Sequence, residues 1–413
     1  MFGSSKLQTR AIDKMRKKWR FFCATDFESL MCPCFIFCQI LGIFPYKIDA
    51  SVFKTSKPRY VISTIAICVC FIGFLTVFCM INIYGITKFK GVPRIIERNC
   101  FYILSSFIAV VTYILSGPRM RLLQTIMEIS SKLPPESYHK LSKLIHAKDV
   151  LGSIFIVSGA IYFSMDIHIV LQFFLMYVYL LIFQMDMLYM NCVCVLKACL
   201  KRINDNLEHM RELMIENEVY HLDPMYKHRS PFLLIELRAL KRQHLTISNT
   251  VQMLNIIFSL QLLATIIITF GEITFHLYFH ILYWQDGTIL INIDDSLYAT
   301  FLTISITYYF IKIALIVWAC ETGKDQAVRI ATTVHDVLNS VSNNEIKAEL
   351  HLFSMQIMHR EIRFAAMGLN VDATLLTTIV GNISTYLIIL MQFLTMPQFC
   401  NKEVILNVTQ ITQ

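Results

Sequence analysis

Residues 60–84 read YVISTIAICVCFIGFLTVFCMINIY, a run without one Asp, Glu, Lys or Arg. At about 1.5 Å per residue such a helix crosses the roughly 30 Å hydrocarbon core of a bilayer with length to spare. Further predominantly apolar runs lie at Arg98–Ser116, Val150–Met165, Ile169–Leu196, Ile247–Phe279, Leu297–Cys320 and Ala373–Leu394. The apolar stretch Phe35–Phe44 is too short to cross and reads as an interfacial or re-entrant segment. Hydrophobic residues make up 55% of the 413 positions and charged ones 16%. A soluble domain of that composition would aggregate, so the expected fold class is an all-α integral membrane protein with seven transmembrane helices.

Charge sets the expected orientation. About 31 of the 37 Lys and Arg fall in the N-terminal segment and in the loops after spans two, four and six. This predicts a cytosolic N-terminus and an extracellular C-terminus. The segment Phe279–Ser296, with Asp286, Asp294 and Asp295 and no Lys or Arg, suits an extracellular loop. The expected organisation is a cytosolic and interfacial segment over 1–59, a transmembrane domain over 60–394 and an extracellular tail over 395–413. Within the second unit, residues 197–246 and 321–372 mix charge with apolar positions at helical spacing, as in Leu207, Met210 and Met214 or Val334, Val337, Leu338, Leu350, Phe353 and Ile357. They are expected to extend the helices into a cytosolic bundle. The basic N-terminal run lacks a following apolar core and cleavage site, so no cleaved signal is expected.

Several other functions are disfavoured. The formal charge of +8 is spread over loops without an aromatic-interleaved patch, which fits anionic lipid and not nucleic acid. The thirteen cysteines sit in or beside apolar runs and read as small hydrophobes; Cys100 and Cys400, both expected outside, could pair or remain free. The sequon Asn407-Val408-Thr409 would be usable only outside the cell. A G-protein-coupled receptor would carry its N-terminus outside, and a secondary transporter should show internal repeats. The best enzymatic rival is a membrane-embedded zinc hydrolase using His276 and His280 with Asp166 and His168, but the chain has no His-Glu-x-x-His and no third His at ligand spacing. No catalytic residue, metal or cofactor is expected.

The C-terminal block is the most specific part of the chain. It contains Phe353, Ser354, Gln356 and His359, then Phe364-Ala-Ala-Met-Gly368, then Thr385-Tyr386, five apolar residues and Gln392-Phe393. This pattern resembles the insect gustatory receptor family, related to insect odorant receptors, whose hallmark is Thr-Tyr, five apolar residues and Gln-Phe in the last membrane helix. The close match covers about the last fifty residues; length, span number and orientation extend the likeness. Ala365-Ala366-Met367 depart from the Thr or Cys often found there. The resemblance implies a ligand-gated, non-selective cation channel in the plasma membrane of sensory neurons. It also implies a tetramer, homomeric or with other receptor subunits, around a pore lined by the last helix, with permeating cations and a small-molecule tastant as partners.

Gly381, Thr385, Ile388 or Ile389, and Gln392 share one face of that last helix. A polar face there needs either water or a protein neighbour. In a pore, Thr385 and Gln392 form polar rings, Ile388 or Ile389 a constriction that gates by dewetting, and Phe393 and Tyr386 flank the stripe. Candidate ligand groups are Tyr162, Gln172, Phe173, Tyr177, Glu272, His276, Thr303 and Tyr308, aromatic walls with a few polar groups in the outer halves of spans three to six. Glu272 stands out because an ionisable group in a membrane helix is costly unless it faces water, a ligand or a partner such as His276 one turn away. Asp186 and Lys312, also intramembrane, read as a structural pair or a cytosolic-side contact sooner than as a ligand site.

Overall fold

The computed structural model describes residues 22–49, 51–83, 92–163, 169–219, 229–286 and 295–411. Among them seven helices are long and apolar enough to cross a membrane. These are α2 (Lys57–Asn82), α3 (Val92–Ile114), α5 (Pro135–Phe163), α6 (Ile169–Val219), α7 (Arg229–Asp286), α8 (Asp295–Ser340) and α10 (Ala373–Ile411). Each overlaps one of the runs read from the sequence, and several extend well beyond it. The remaining helices are α1 (Phe27–Ile40), α4 (Ser116–Ser130) and α9 (Asn344–His359). Two hairpins, β1 (Tyr46–Asp49) with β2 (Val52–Thr55) and β3 (Ala365–Ala366) with β4 (Leu369–Asn370), are small departures from an all-helical chain.

Packing is centred on α6, which lies most extensively against α8 and also contacts α5, α7 and α1. In its most apolar window 61% of residues are buried, compared with 17% in α10. Small residues permit the close approaches: a Cβ at Gly152 of α5 would collide with the Phe183 ring of α6. The short helix α1 starts from an Asp26 capping box with Ser29. Its Leu30, Met31, Cys34, Phe35 and Cys38 are buried, and Phe35 stacks on Phe44 with centroids 4.8 Å apart. The apolar segment read as interfacial or re-entrant is thus short, as expected, and is covered by α5 and α6.

Three ionisable groups inside the bundle, Asp186, Lys312 and Arg119, find partners. Asp186 and Lys312 lie 3.2 Å apart, nearly inaccessible, and Thr265 donates to Asp186 at 2.9 Å. Arg119, which the sequence reading counts as a basic loop charge, is also buried. It donates to Gln261 at 3.0 Å and lies over the Phe258 ring. The loop expected after span two is α4 followed by the first half of α5, and α4 carries Arg119 inward.

At the end rich in Lys and Arg, the helices continue past bilayer length. Asn204 of α6 accepts from Thr333 of α8 at 2.8 Å, and α9 packs on both α7 and α8. The stretch over 321–372, read from its apolar spacing as a helical extension, is divided. Asn343 caps a fresh helix, accepting from Glu345 and Ile346, while Val334, Val337, Leu350 and Phe353 keep the inward stripe. Gln356, part of the sequence motif, donates to the Lys241 carbonyl at 3.0 Å and lies 3.2 Å from His244 Nδ1. Gly368 has φ of +84°, a left-handed turn conformation at which any side chain would be strained. At the opposite end, α7 runs on through Tyr283 and Trp284 to Asp286, so the first half of the loop expected at Phe279–Ser296 is helical. Likewise the tail expected after Leu394 continues α10 to Ile411.

Two predictions follow from this packing. Removing one member of a buried ion pair leaves the other charge uncompensated, typically at about 3–5 kcal/mol. Lys312→Met is therefore expected to lower the thermal melting midpoint of purified protein, and adding Asp186→Asn to recover most of the loss; equal melting of single variant and wild type would contradict the pairing. Glu349 accepts from Arg238 at 3.3 Å and from Lys241. Burial works to raise its pKa, but these two cations outweigh burial and hold it below the usual carboxylate range. Its contribution is present above the ordinary carboxylate pKa and lost as pH falls through the depressed one. Amide exchange in α9, corrected for intrinsic pH dependence, should accelerate on such acidification in wild type and be fast throughout in Glu349→Gln.

Candidate functional site

The helix that carries the Thr-Tyr and Gln-Phe motif is anchored at its first turn and bare along much of the stretch from Ala373 to Gln392. Asp372 accepts from the Thr374 backbone at 3.1 Å, and Lys324 of α8 lies 3.8 Å from its carboxylate. Its pKa is depressed, first by the Thr374 side-chain hydrogen bond. Glu321 of α8 accepts from the Ala373 amide at 3.1 Å. Above this anchor, Leu375, Ile379 and Ile383 recur every four residues and are buried in the core. At about 100° per residue, Gly381, Thr385, Ile388, Ile389 and Gln392 all fall roughly opposite Ile383. Ile388 is 59% exposed and Ile389 39%, and Thr385 and Gln392 are exposed as well. Thr385 returns its hydroxyl proton to the Gly381 carbonyl at 3.1 Å, so its oxygen lone pairs face outward. Tyr386 meets Phe270 of α7 edge to face at 5.7 Å. The side chain of Phe393 lies outside the described residues.

A second constellation is closed inside the bundle. Arg94, Glu97 and Arg98 occupy one face of α3 by their i, i+3, i+4 spacing. Glu97 meets Glu272 and His276 of α7. His276 Nε2 is 3.6 Å from a Glu97 oxygen and 3.7 Å from a Glu272 oxygen, and the three residues are 3%, 2% and 5% exposed for His276, Glu97 and Glu272. Aromatic rings enclose them: Phe301 and Tyr309 of α8 lie 5.9 and 6.2 Å from the His276 ring. Arg94 donates to the Tyr298 hydroxyl and lies 4.3 Å from the centre of the Phe279 ring. A histidine between two carboxylates in an aromatic enclosure can hold a cation or move a proton. The sequence reading found Glu272 and His276 but missed Glu97. The signal was present in the Arg94, Glu97, Arg98 spacing at the start of span two, which was read as the edge of a loop.

The other candidate ligand groups are spread out. Tyr162 and Phe173 are 60% and 59% exposed. Gln172 donates to the Ala160 carbonyl at 3.3 Å, tying α6 to α5. Tyr177 donates to the Leu41 carbonyl at 3.0 Å and lines a separate small cleft with Ser63, Ala66, Thr112 and Tyr113. Thr303 donates to the Ala299 carbonyl and lies 3.3 Å from His280 Nε2, while Tyr308 stacks on Phe155 at 6.0 Å. The structure therefore joins Glu272 with His276 and leaves Tyr162, Gln172, Phe173 and Tyr177 apart from them. Of the residues weighed for a hydrolase, His280 is engaged by Trp284 as well as Thr303. Asp166, His168 and the Cys400 side chain lie outside the described residues.

Comparison with known proteins gives a consistent picture. A family model described as 7tm Chemosensory receptor matches residues 31–396. Two Drosophila melanogaster proteins named as gustatory receptors, 28b and 28a, are 41% and 37% identical over 97 and 100 residues, or 23% and 24% of this chain. The matched stretch spans only 21% and 22% of those relatives' own length. Among solved structures, the insect olfactory receptor OR5 from Machilis hrabei superposes with a TM-score of 0.64 at 13% identity, covering 88% of this chain and 97% of that one. The same receptor in complex with eugenol gives 0.65 at 12% identity, with the same coverage. The family is one of receptors and not of enzymes, which removes the hydrolase reading. With the match running through nearly all of the described helices, the chain belongs to the 7tm chemosensory receptor family of insects.

Proposed function

We propose that this protein is a gustatory receptor acting as a ligand-gated, non-selective cation channel, opened by a small tastant at the plasma membrane of sensory neurons. The observation that carries the reading is the bare stripe of α10. A membrane helix with only 17% of its apolar window buried, and with Thr385 and Gln392 outward, needs either lipid or further copies of the chain beside it. Lipid offers those polar groups nothing, whereas a water-filled axis shared by several subunits solvates them. Four copies, alone or with other receptor subunits, would set Gln392 and Thr385 as neutral rings and Ile388 or Ile389 as the dewetting constriction. Neutral rings discriminate weakly among cations.

The charge asymmetry supports a cytosolic N-terminus, so the α10 end carrying Gln392 faces outside and the Lys-rich and Arg-rich bundle faces anionic inner-leaflet lipid. The related OR5 was captured with eugenol, a small organic molecule. By extension, a ligand of comparable size enters between α3, α5, α6, α7 and α8, where Glu272, His276, Thr303 and Tyr308 face aromatic neighbours. Tyr386 against Phe270 gives that interior a direct contact with the pore helix.

Whole-cell recording in cells expressing the chain tests the pore. Gln392→Ala should change relative cation permeability or conductance, and Ile388→Ser together with Ile389→Ser should raise current without ligand by wetting the constriction. Agonist-evoked currents identical to wild type in both would remove this face of α10 from the conduction path.

A further inference from the structure

We infer that Glu97, Glu272 and His276 form a binding site for a divalent transition-metal ion, with Zn2+ the best match. Their candidate ligand atoms, two carboxylate oxygens and one imidazole nitrogen, all lie within 4.8 Å of one another. A tetrahedral ion with bonds of about 2.1 Å places its ligands about 3.4 Å apart. The two separations from His276 Nε2, 3.6 and 3.7 Å, are close to that edge before any adjustment. Mixed carboxylate and imidazole donors suit zinc better than calcium or magnesium, which favour an all-oxygen shell.

A second observation points to a ligand and not to a self-sufficient salt network. Both carboxylate oxygens of Glu97 are buried without a hydrogen-bond partner. Leaving an ionised carboxylate in that condition is among the most expensive arrangements inside a bundle. Neither nearby guanidinium hydrogen-bonds to it. Arg94 is committed to the Tyr298 hydroxyl and the Phe279 ring, and Arg98 Nε is itself without a partner. Two carboxylates would neutralise a divalent ion locally, with the aromatic enclosure limiting water. Arg98 is then the natural competitor: it supplies positive charge to the same carboxylates when the ion is absent and opposes the ion when it enters. Since Glu97 is on α3 and the other two ligands are on α7, the ion would clamp these helices at the end where α10 carries Gln392. This inference stands on the three side chains and does not require the channel reading.

The test uses full-length protein in lipid nanodiscs, incubated with Zn2+, desalted and assayed for bound metal, with Co2+ as a spectroscopic substitute. One tightly held ion per chain is expected, with visible Co2+ absorption characteristic of low coordination number. Glu272→Gln and His276→Gln should each weaken binding on the order of 100-fold or more, above the loss usual for outer-shell partners. Arg98→Gln should tighten it on the order of tenfold, a gain that no general loss of folding produces. X-ray absorption of zinc-loaded wild type should show an oxygen-rich shell with one imidazole, and this holds even if a variant fails to fold. Zinc lost from folded wild type on desalting, binding retained in Glu97→Gln/Glu272→Gln/His276→Gln, or a shell with several imidazoles or any sulfur would overturn the site. Agonist-evoked current is read separately: an intact current without zinc binding overturns the metal site alone.

Discussion

Hydrocarbon offers no hydrogen bonds, and most of this chain's architecture answers that single constraint. Backbone groups are satisfied by long helices, and side-chain charges by meeting one another inside the bundle. Asp186 and Lys312 join α6 to α8, with Thr265 of α7 bonded to the same carboxylate. Arg119 is brought inward by α4 to Gln261 and Phe258 of α7. Each pairing fixes where two helices cross as well as how they turn. The exceptions are therefore informative: polar side chains set on an exposed helix face, and buried carboxylate oxygens without a hydrogen-bond partner, are the features on which the two proposals rest.

Two such places stand out, and they differ in kind. On α10, Thr385 and Gln392 project from a helix whose buried side, Leu375, Ile379 and Ile383, is already used against the rest of the subunit. At Glu97, Glu272 and His276 the polar atoms are enclosed, and their partner must be small enough to fit among them. The first situation underlies the proposal of neighbouring copies around water, the second the inference of a bound ion. The contact of Tyr386 with Phe270 gives α10 a direct seam with α7, the helix that also carries Glu272 and His276.

Seven spans were legible in the sequence because apolarity over a bilayer's thickness is a one-dimensional signal. Their extensions were legible too, since Leu207, Met210 and Met214 keep helical spacing among charges. Burial of Arg119 and Glu97 was not legible in the same way. Both lie near helix ends where a charge is ordinarily solvated, and only the partner helix, distant in sequence, shows otherwise. Asp186 and Lys312 could be matched in advance because each is an isolated intramembrane charge of opposite sign. The β1–β2 hairpin turns through Ser51 at φ +63°, a conformation that Ser does not advertise. For α10, periodicity supplied the shared face of Thr385, Ile388 and Gln392, while the motif supplied the family; neither could say which neighbour that face meets. Tyr162, Phe173 and Tyr177 have the composition of a pocket wall, yet composition does not distinguish a wall from a lipid-facing or cleft-lining aromatic.

The central claim is that the bare stripe of α10 surrounds a shared aqueous axis. Electron cryomicroscopy of the full-length protein in lipid measures this directly. The account predicts a fourfold assembly in which Thr385 and Gln392 of every subunit face a continuous central path narrowed at Ile388 or Ile389. A monomeric particle, or an assembly whose α10 turns those side chains toward lipid, would contradict it.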